Sequence, residues 1–172
     1  YTGERRGVMD WELTAKIARK YIDRPLIELE NLKGLYKPKA GVMIEFTGSR
    51  GSMDTDREAG SGENVEVFYK GEYTLKSAYM DFDFKNGITT TKAPVDIAGT
   101  KLVMRGVGLF ANTAQESIKL LRDVSGIITT EKSKYRFQSD TLIYFFKKST
   151  YILEGKVIMR GEDINLVCDE LQ

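Results

Sequence analysis

The sequence predicts an all-β fold of about a dozen or more short antiparallel strands. Apolar and polar residues alternate with period two in segment after segment. Glycine and asparagine–glycine or lysine–glycine pairs punctuate those segments about every 8–12 residues. The longest apolar run, Leu142-Ile143-Tyr144-Phe145-Phe146, falls far short of the roughly 20 residues a spanning helix needs.

Taken in order, the first element is Trp11 to Tyr21. Trp11, Leu13, Ala15 and Ile17 alternate, which favours a strand over a short helix that would gain little in isolation. Val42, Ile44 and Phe46 then alternate with Met43, Glu45 and Thr47. The polar, glycine-rich stretch Ser52 to Asn64 reads as a mobile loop. Val65 and Val67 open the next strand, and Phe82 and Phe84 alternate with Asp81 and Asp83. Asn86-Gly87 reads as a two-residue hairpin turn whose central residues both need positive φ. Asn112 to Asp123 is read as strand although its residues also tolerate helix. Ile127 and the run Val157-Ile158-Met159 mark later strands, and Gly34, Gly71, Gly99, Gly106, Gly126, Gly155 and Gly161 supply further punctuation. An internal echo runs through this pattern: Tyr73-Thr-Leu-Lys-Ser77 recurs as Tyr135-Arg-Phe-Gln-Ser139, and Met104-Arg105-Gly106 recurs as Met159-Arg160-Gly161. A repeated strand unit that cannot bury its face alone stacks on its neighbours.

Composition narrows the chemistry. The 172 residues suit one domain, here 1–172. Charged residues make up 30% yet sum to +1, which argues against a nucleic-acid binder working through a basic field. Histidine is absent, removing the commonest general base and metal ligand. The single cysteine, Cys168, sits in an alternating segment and reads as a small core residue. Asp54, Asp56 and Glu58 have the spacing that opens a calcium loop, but Ala59 and Val65 stand where glycine and glutamate are required. Asp81 and Asp83 lie opposite Phe82 and Phe84, so inward phenylalanines put the carboxylates outside. The glycines around Arg105 form no phosphate loop. No catalytic residue, metal or cofactor is expected.

What remains is an apolar face: Ile44, Phe46, Val65, Val67, Leu75, Met80, Phe82, Phe84, Val95, Ile97, Leu102, Met104, Leu109 and Ile127. Each alone reads as ordinary core. Collectively, a sheet that folds over without filling its interior leaves an apolar trough.

Four stretches carry a resemblance to the LptC family of lipopolysaccharide-export proteins: Trp11-Glu-Leu-Thr-Ala15; GENVEV (62–67) with YTLKSAYMDFDF (73–84); Lys92-Ala-Pro-Val-Asp-Ile97; and Lys101 to Phe110 followed by Leu120 to Thr129. The likeness covers residues 8–132, and 133–172 resembles an LptA-like continuation of the same sheet. The resemblance implies a twisted, open OstA-like β-jellyroll that is not an enzyme. It also implies a periplasmic protein held at the inner membrane by an N-terminal helix absent from this chain. Its cargo would be lipopolysaccharide, with Ile44, Phe46, Val65, Val67, Leu75, Met80, Phe82, Phe84, Ile97, Leu102, Met104 and Leu109 lining the acyl groove. Its partners would be the jellyroll of an inner-membrane ABC transporter at the N-terminal edge, near Leu13, Ala15 and Ile17, and an LptA-like bridge protein at the C-terminal edge, near Leu166, Cys168 and Leu171. A structural β-repeat protein without lipid cargo and a sugar-active jellyroll enzyme remain as alternatives.

Overall fold

The computed structural model describes the backbone of residues 2–5 and 8–172 and the side chains of Thr2 and residues 11–172. Tyr1, where the expected N-terminal anchor would join, lies outside them. The described residues form β1 (Thr2–Arg5), β2 (Val8–Lys20), β3 (Leu26–Lys39), β4 (Val42–Asp54), β5 (Ala59–Tyr69), β6 (Tyr73–Asp83), β7 (Ile88–Ala98), β8 (Leu102–Asn112), β9 (Ser117–Thr129), β10 (Lys134–Ser139), β11 (Thr141–Phe145), β12 (Thr150–Arg160) and β13 (Asn165–Leu171). Strands β1 to β9 pair antiparallel in chain order within one sheet. β10 and β11 act as one bent strand, since both pair with β9 on one side and β12 on the other. β13 closes the order on β12. Among the described residues no helix is long and apolar enough to cross a membrane.

A crease crosses the whole sheet. Pairing of β2 with β3 skips from Ala15↔Leu32 to Ile17↔Glu30, and β4 with β5 skips from Thr47↔Glu66 to Arg50↔Glu63. The interruption continues between Ser77 and Asp81, Thr91 and Pro94, Arg105 and Val107, and Glu154 and Val157. Asn31, Asn64, Gly108, Asp123 and Lys156 take positive φ along this line. Bulges of this kind bend a strand and sharpen its twist. Each long strand is therefore divided into two arms. One arm ends in the turns 55–58, 84–87, 113–116 and 146–149; the other ends in the turns 40–41 and 70–72.

The arms fold onto each other through side chains. One packed cluster joins Trp11, Leu13, Phe46 and Val65 to Ile27, Met53, Met80, Phe82 and Phe84; a second joins Val95, Ile97, Leu102, Met104 and Phe137 to Leu109, Leu120, Leu142, Tyr144 and Leu153. Leu75 packs against both. Across the fold Phe46 stacks on Phe82 with centroids 4.8 Å apart. Gly34 makes this possible: it sits opposite Phe46, and a Cβ there would lie 2.0 Å from the ring. Gly126 is roofed in the same way by Phe137.

Several expectations are corrected. Gly34, Gly106, Gly126 and Gly155 lie within strands rather than between them. Ser52 to Asn64 is a strand–turn–strand hairpin, because Gly60 and Gly62 leave room for the Ser52 backbone and the Met53 and Val65 side chains, and Ser52 and Ser61 meet at 3.0 Å. The Asn86-Gly87 turn has four residues, 84–87, and Gly87 alone of the pair has positive φ. Its length is set by Asp83, whose Oδ1 accepts from Asn86 N at 2.9 Å. Asp54 and Asn112 cap the turns 55–58 and 113–116 the same way, so the expected strand Asn112 to Asp123 is broken: Asn112 ends β8, 113–116 is a turn, and β9 starts at Ser117. Ile127 faces outward, since Gly126 and Ile128 take the inner positions around it.

The tyrosine–serine echo has a structural basis. Ser77 and Ser139 are buried at the crease, and each donates to the carbonyl two residues on, at 3.2 and 2.8 Å. Tyr73 and Tyr135 each cover a glycine, Gly99 and Gly161. The Met-Arg-Gly echo has none, because Gly106 lies at the crease and Gly161 at a turn.

Candidate functional site

Between the two clusters, toward the open ends of the arms, an apolar slot survives. Ile44, Phe46, Val67, Leu75 and Ile97 line it from one arm; Met80, Phe82, Phe84 and Leu109 line it from the other. Nine of the expected groove residues thus share one wall-to-wall space. Val65, Leu102 and Met104 point inward as well but are built into the packed clusters. Tyr36, Val42, Tyr69, Tyr73, Ile88, Ile118 and Phe146 also line the slot and were not singled out from sequence. Tyr73 belongs to the internal echo and Phe146 to the longest apolar run, which carried the available signal.

The slot is narrow. Its free volume is about 100 Å³, whereas pockets that enclose small-molecule ligands run from about 300 to 1,000 Å³. The interior is therefore tighter than the trough expected from sequence. Aromatic rings account for this: Tyr69, Tyr73, Tyr144 and Phe146 contact one another across the mouth with centroids 4.7 to 6.5 Å apart.

Polar contacts tie the lips of the arms together at this mouth. Tyr36 Oη donates to the Phe84 carbonyl at 3.1 Å, and the Tyr73 and Tyr144 hydroxyls meet at 2.9 Å. Burial, reinforced by Tyr144, pushes the Tyr73 phenol well above its ordinary value. Glu116, in the turn 113–116, carries the strongest tie. It is only 8% exposed, pairs with Lys39 and, at 3.2 Å, with Lys70, and accepts from Tyr69 Oη at 3.3 Å. The Lys39 hydrogen bond holds its carboxyl down to about 2 against burial that would raise it, with Lys70 adding to the pull.

The acidic candidates fall elsewhere. Asp81 is exposed and accepts from Tyr79 Oη at 2.7 Å, and Asp54 and Asp83 cap turns. Among the described residues no acidic, histidine or cysteine cluster is placed to hold a metal.

The sheet has two free margins. The pairing of β1 with β2 runs from Val8 to Glu12, so Leu13 stands next to its end and Ala15 and Ile17 lie beyond it on that side among the described residues. At the far end the outer side of β13 has no partner strand among the described residues, with Leu166, Cys168 and Leu171 along it. Cys168 and Leu171 pack against the second cluster, so this margin is anchored from within.

A creased antiparallel sheet folded over an apolar slot defines an OstA-like jellyroll. The family model described as "Lipopolysaccharide-assembly, LptC-related" matches residues 2–130, three quarters of the sequence, and the chain belongs to that family. Its members are periplasmic components of lipopolysaccharide transport. The match ends just past β9; β10 to β13 extend the sheet beyond it. No curated protein matches the chain. Among solved structures it is similar to LptH of Pseudomonas aeruginosa, described as the LptA homologous periplasmic component of the lipopolysaccharide transport device. That likeness has a TM-score of 0.57 at 12% identity and covers 68% of this chain and 93% of that one. At such identity the likeness is one of fold.

Proposed function

We propose that this chain is a bridge component of lipopolysaccharide export that shelters acyl chains between its two arms. On this reading it receives cargo from the jellyroll of an inner-membrane ABC transporter, docked at the β2 margin. It passes the cargo to an LptA-like bridge protein docked at the β13 margin. Both joints are strand additions, in which unpaired backbone groups supply the contacts. An N-terminal helix outside these residues tethers the protein to the inner membrane, as the family resemblance implies, and residues 133–172 continue the same single jellyroll. The observation that carries the reading is the apolar slot lined from both arms, with the β2 margin beyond β1, at Ala15 and Ile17, on one side and the outer margin of β13 on the other. Each acyl methylene taken from water is worth ~0.8 kcal/mol, so even partial shelter holds a multi-chain lipid.

The tightness of the interior favours the alternative, a structural β-repeat protein without cargo. A photo-crosslinker separates the two. Placed at Phe82 or Ile44 in cells exporting lipopolysaccharide, it should yield a lipopolysaccharide adduct. The same group at Val103, which faces outward and is 54% exposed, should not. Equal labelling at both places, or none at Phe82 and Ile44, refutes the lipid route.

A further inference from the structure

The slot is too small for an alkyl chain as it stands, so its walls must part if it is to accept one. This inference rests on the lipid reading above and concerns what controls that parting. Glu116 lines the slot and is itself buried, yet its partners Lys39 and Lys70 belong to the opposite arm and are 44% and 39% exposed. Moving outward from the slot, the order is therefore apolar wall, buried carboxylate, two ammonium groups, solvent.

We propose that Glu116, Lys39 and Lys70 form a latch across the mouth, and that the anionic headgroup of a phosphorylated acyl amphiphile opens it by taking the two lysines from Glu116. Lys39 lies at the end of β3 and Lys70 in the 70–72 turn, whereas Glu116 belongs to the turn between β8 and β9. These ion pairs thus span elements that no strand pairing joins. A phosphate carries a charge of about −1.5 to −2 and three acceptor oxygens. It can outcompete a single carboxylate for two point-charge donors. An amphiphile of this kind has its headgroup where the lysines are and its chain where the slot is, so one ligand both releases the latch and fills the space that opens. A neutral amphiphile has the chain but no means of displacing Glu116. Free phosphate has the charge but nothing to fill the slot.

The test uses dodecyl phosphate, dodecyl maltoside and inorganic phosphate, the amphiphiles below their micelle concentrations. The readout is the fluorescence of Trp11, the only tryptophan, which stacks 5.5 Å from the slot residue Phe84. The wild-type protein should bind dodecyl phosphate roughly 5-fold or more tightly than dodecyl maltoside, the lower end of usual coupling factors. Inorganic phosphate should leave Trp11 unchanged. Glu116→Gln should bind both amphiphiles more tightly than wild type. Lys39→Ala/Lys70→Ala should gain for dodecyl maltoside, because the latch is open, but lose the preference for phosphate; it also tests the latch independently should Glu116→Gln fold poorly. If both variants bind both probes as wild type does, the latch is refuted while the slot reading stands. A response to inorganic phosphate equal to that of dodecyl phosphate also overturns the coupling. If neither amphiphile moves Trp11 in any of the three proteins, the slot reading fails and this inference fails with it.

Discussion

Replacing Gly34 by alanine should destabilise the protein by about 1–2 kcal/mol, although strands ordinarily gain from losing a glycine. Gly34 does not take a positive φ, so its backbone admits alanine and only space decides. The new Cβ would lie 2.0, 2.3 and 2.5 Å from Cζ, Cε1 and Cε2 of Phe46. The ring cannot swing away freely, because Phe82 stacks on it at 4.8 Å and Phe84 at 5.9 Å. Overpacking of this kind costs roughly 1–3 kcal/mol. The stiffer unfolded chain returns about 0.4–1 kcal/mol, which leaves the net loss. For a protein of this size that lowers the melting temperature by about 2–8 °C. Urea titration followed by Trp11 fluorescence gives the number. The substitution should then be repeated with Phe46→Leu, whose smaller side chain no longer covers residue 34; there Gly34→Ala should be neutral or stabilising. An equal cost in both backgrounds, or a stabilised single variant, refutes the claim that the glycine exists to seat the ring.

Other outcomes follow from the same geometry. Because the Glu116 carboxyl sits near 2 in the folded protein against an ordinary 4.5, its ion pairs contribute fully above pH about 4.5 and that contribution is lost as pH falls toward 2. Glu116→Gln should flatten this part of the stability–pH curve, measured by thermal melts between those limits. Met80 is completely buried between the arms, so Met80→Ala should cost about 2–5 kcal/mol in urea titrations. Ser139→Ala should cost about 1 kcal/mol by removing the buried hydrogen bond to the Thr141 carbonyl.

Strand periodicity made most of the architecture legible. Where side chains alternate in size and polarity, as in Val42 to Phe46 or Tyr79 to Phe84, which face points inward follows directly from the pleat. The reading failed where small residues dominate. Ser52 to Asn64 has the composition of a loop, but its glycines, Gly60 and Gly62, are strand residues whose missing side chains are space for the Ser52 backbone, Met53 and Val65. Gly34 and Gly126 misled in the same way, since a local pattern cannot show that a ring from the next strand will lie over them. Ile127 was placed inside because alternation was read without the crease, and a bulge upstream changes which residue of a pair faces in. The slot-lining phenylalanines and methionine were visible for their alternation. The Glu116 cluster was not: its three members lie far apart in the chain and meet only once the arms fold over.

The crease also lets a tightly packed interior be reconciled with the proposed acyl shelter in one sheet. Its ladder is already interrupted where each strand bends, so the arms can hinge there by changing φ and ψ at bulged residues without breaking further pairing. Parting them elsewhere would require separating the two packed clusters, whose residues have almost no contact with water. Movement is therefore cheapest at the outer ends of the arms, where the rings of Tyr69, Tyr73 and Phe146 contact one another across the mouth and the lips are tied by a few polar contacts. An acyl chain entering there replaces ring-to-ring contact with ring-to-chain contact, leaving the apolar balance nearly even. What then decides between open and closed is the small set of polar ties at the lips, chief among them the buried carboxylate of Glu116 between two lysines.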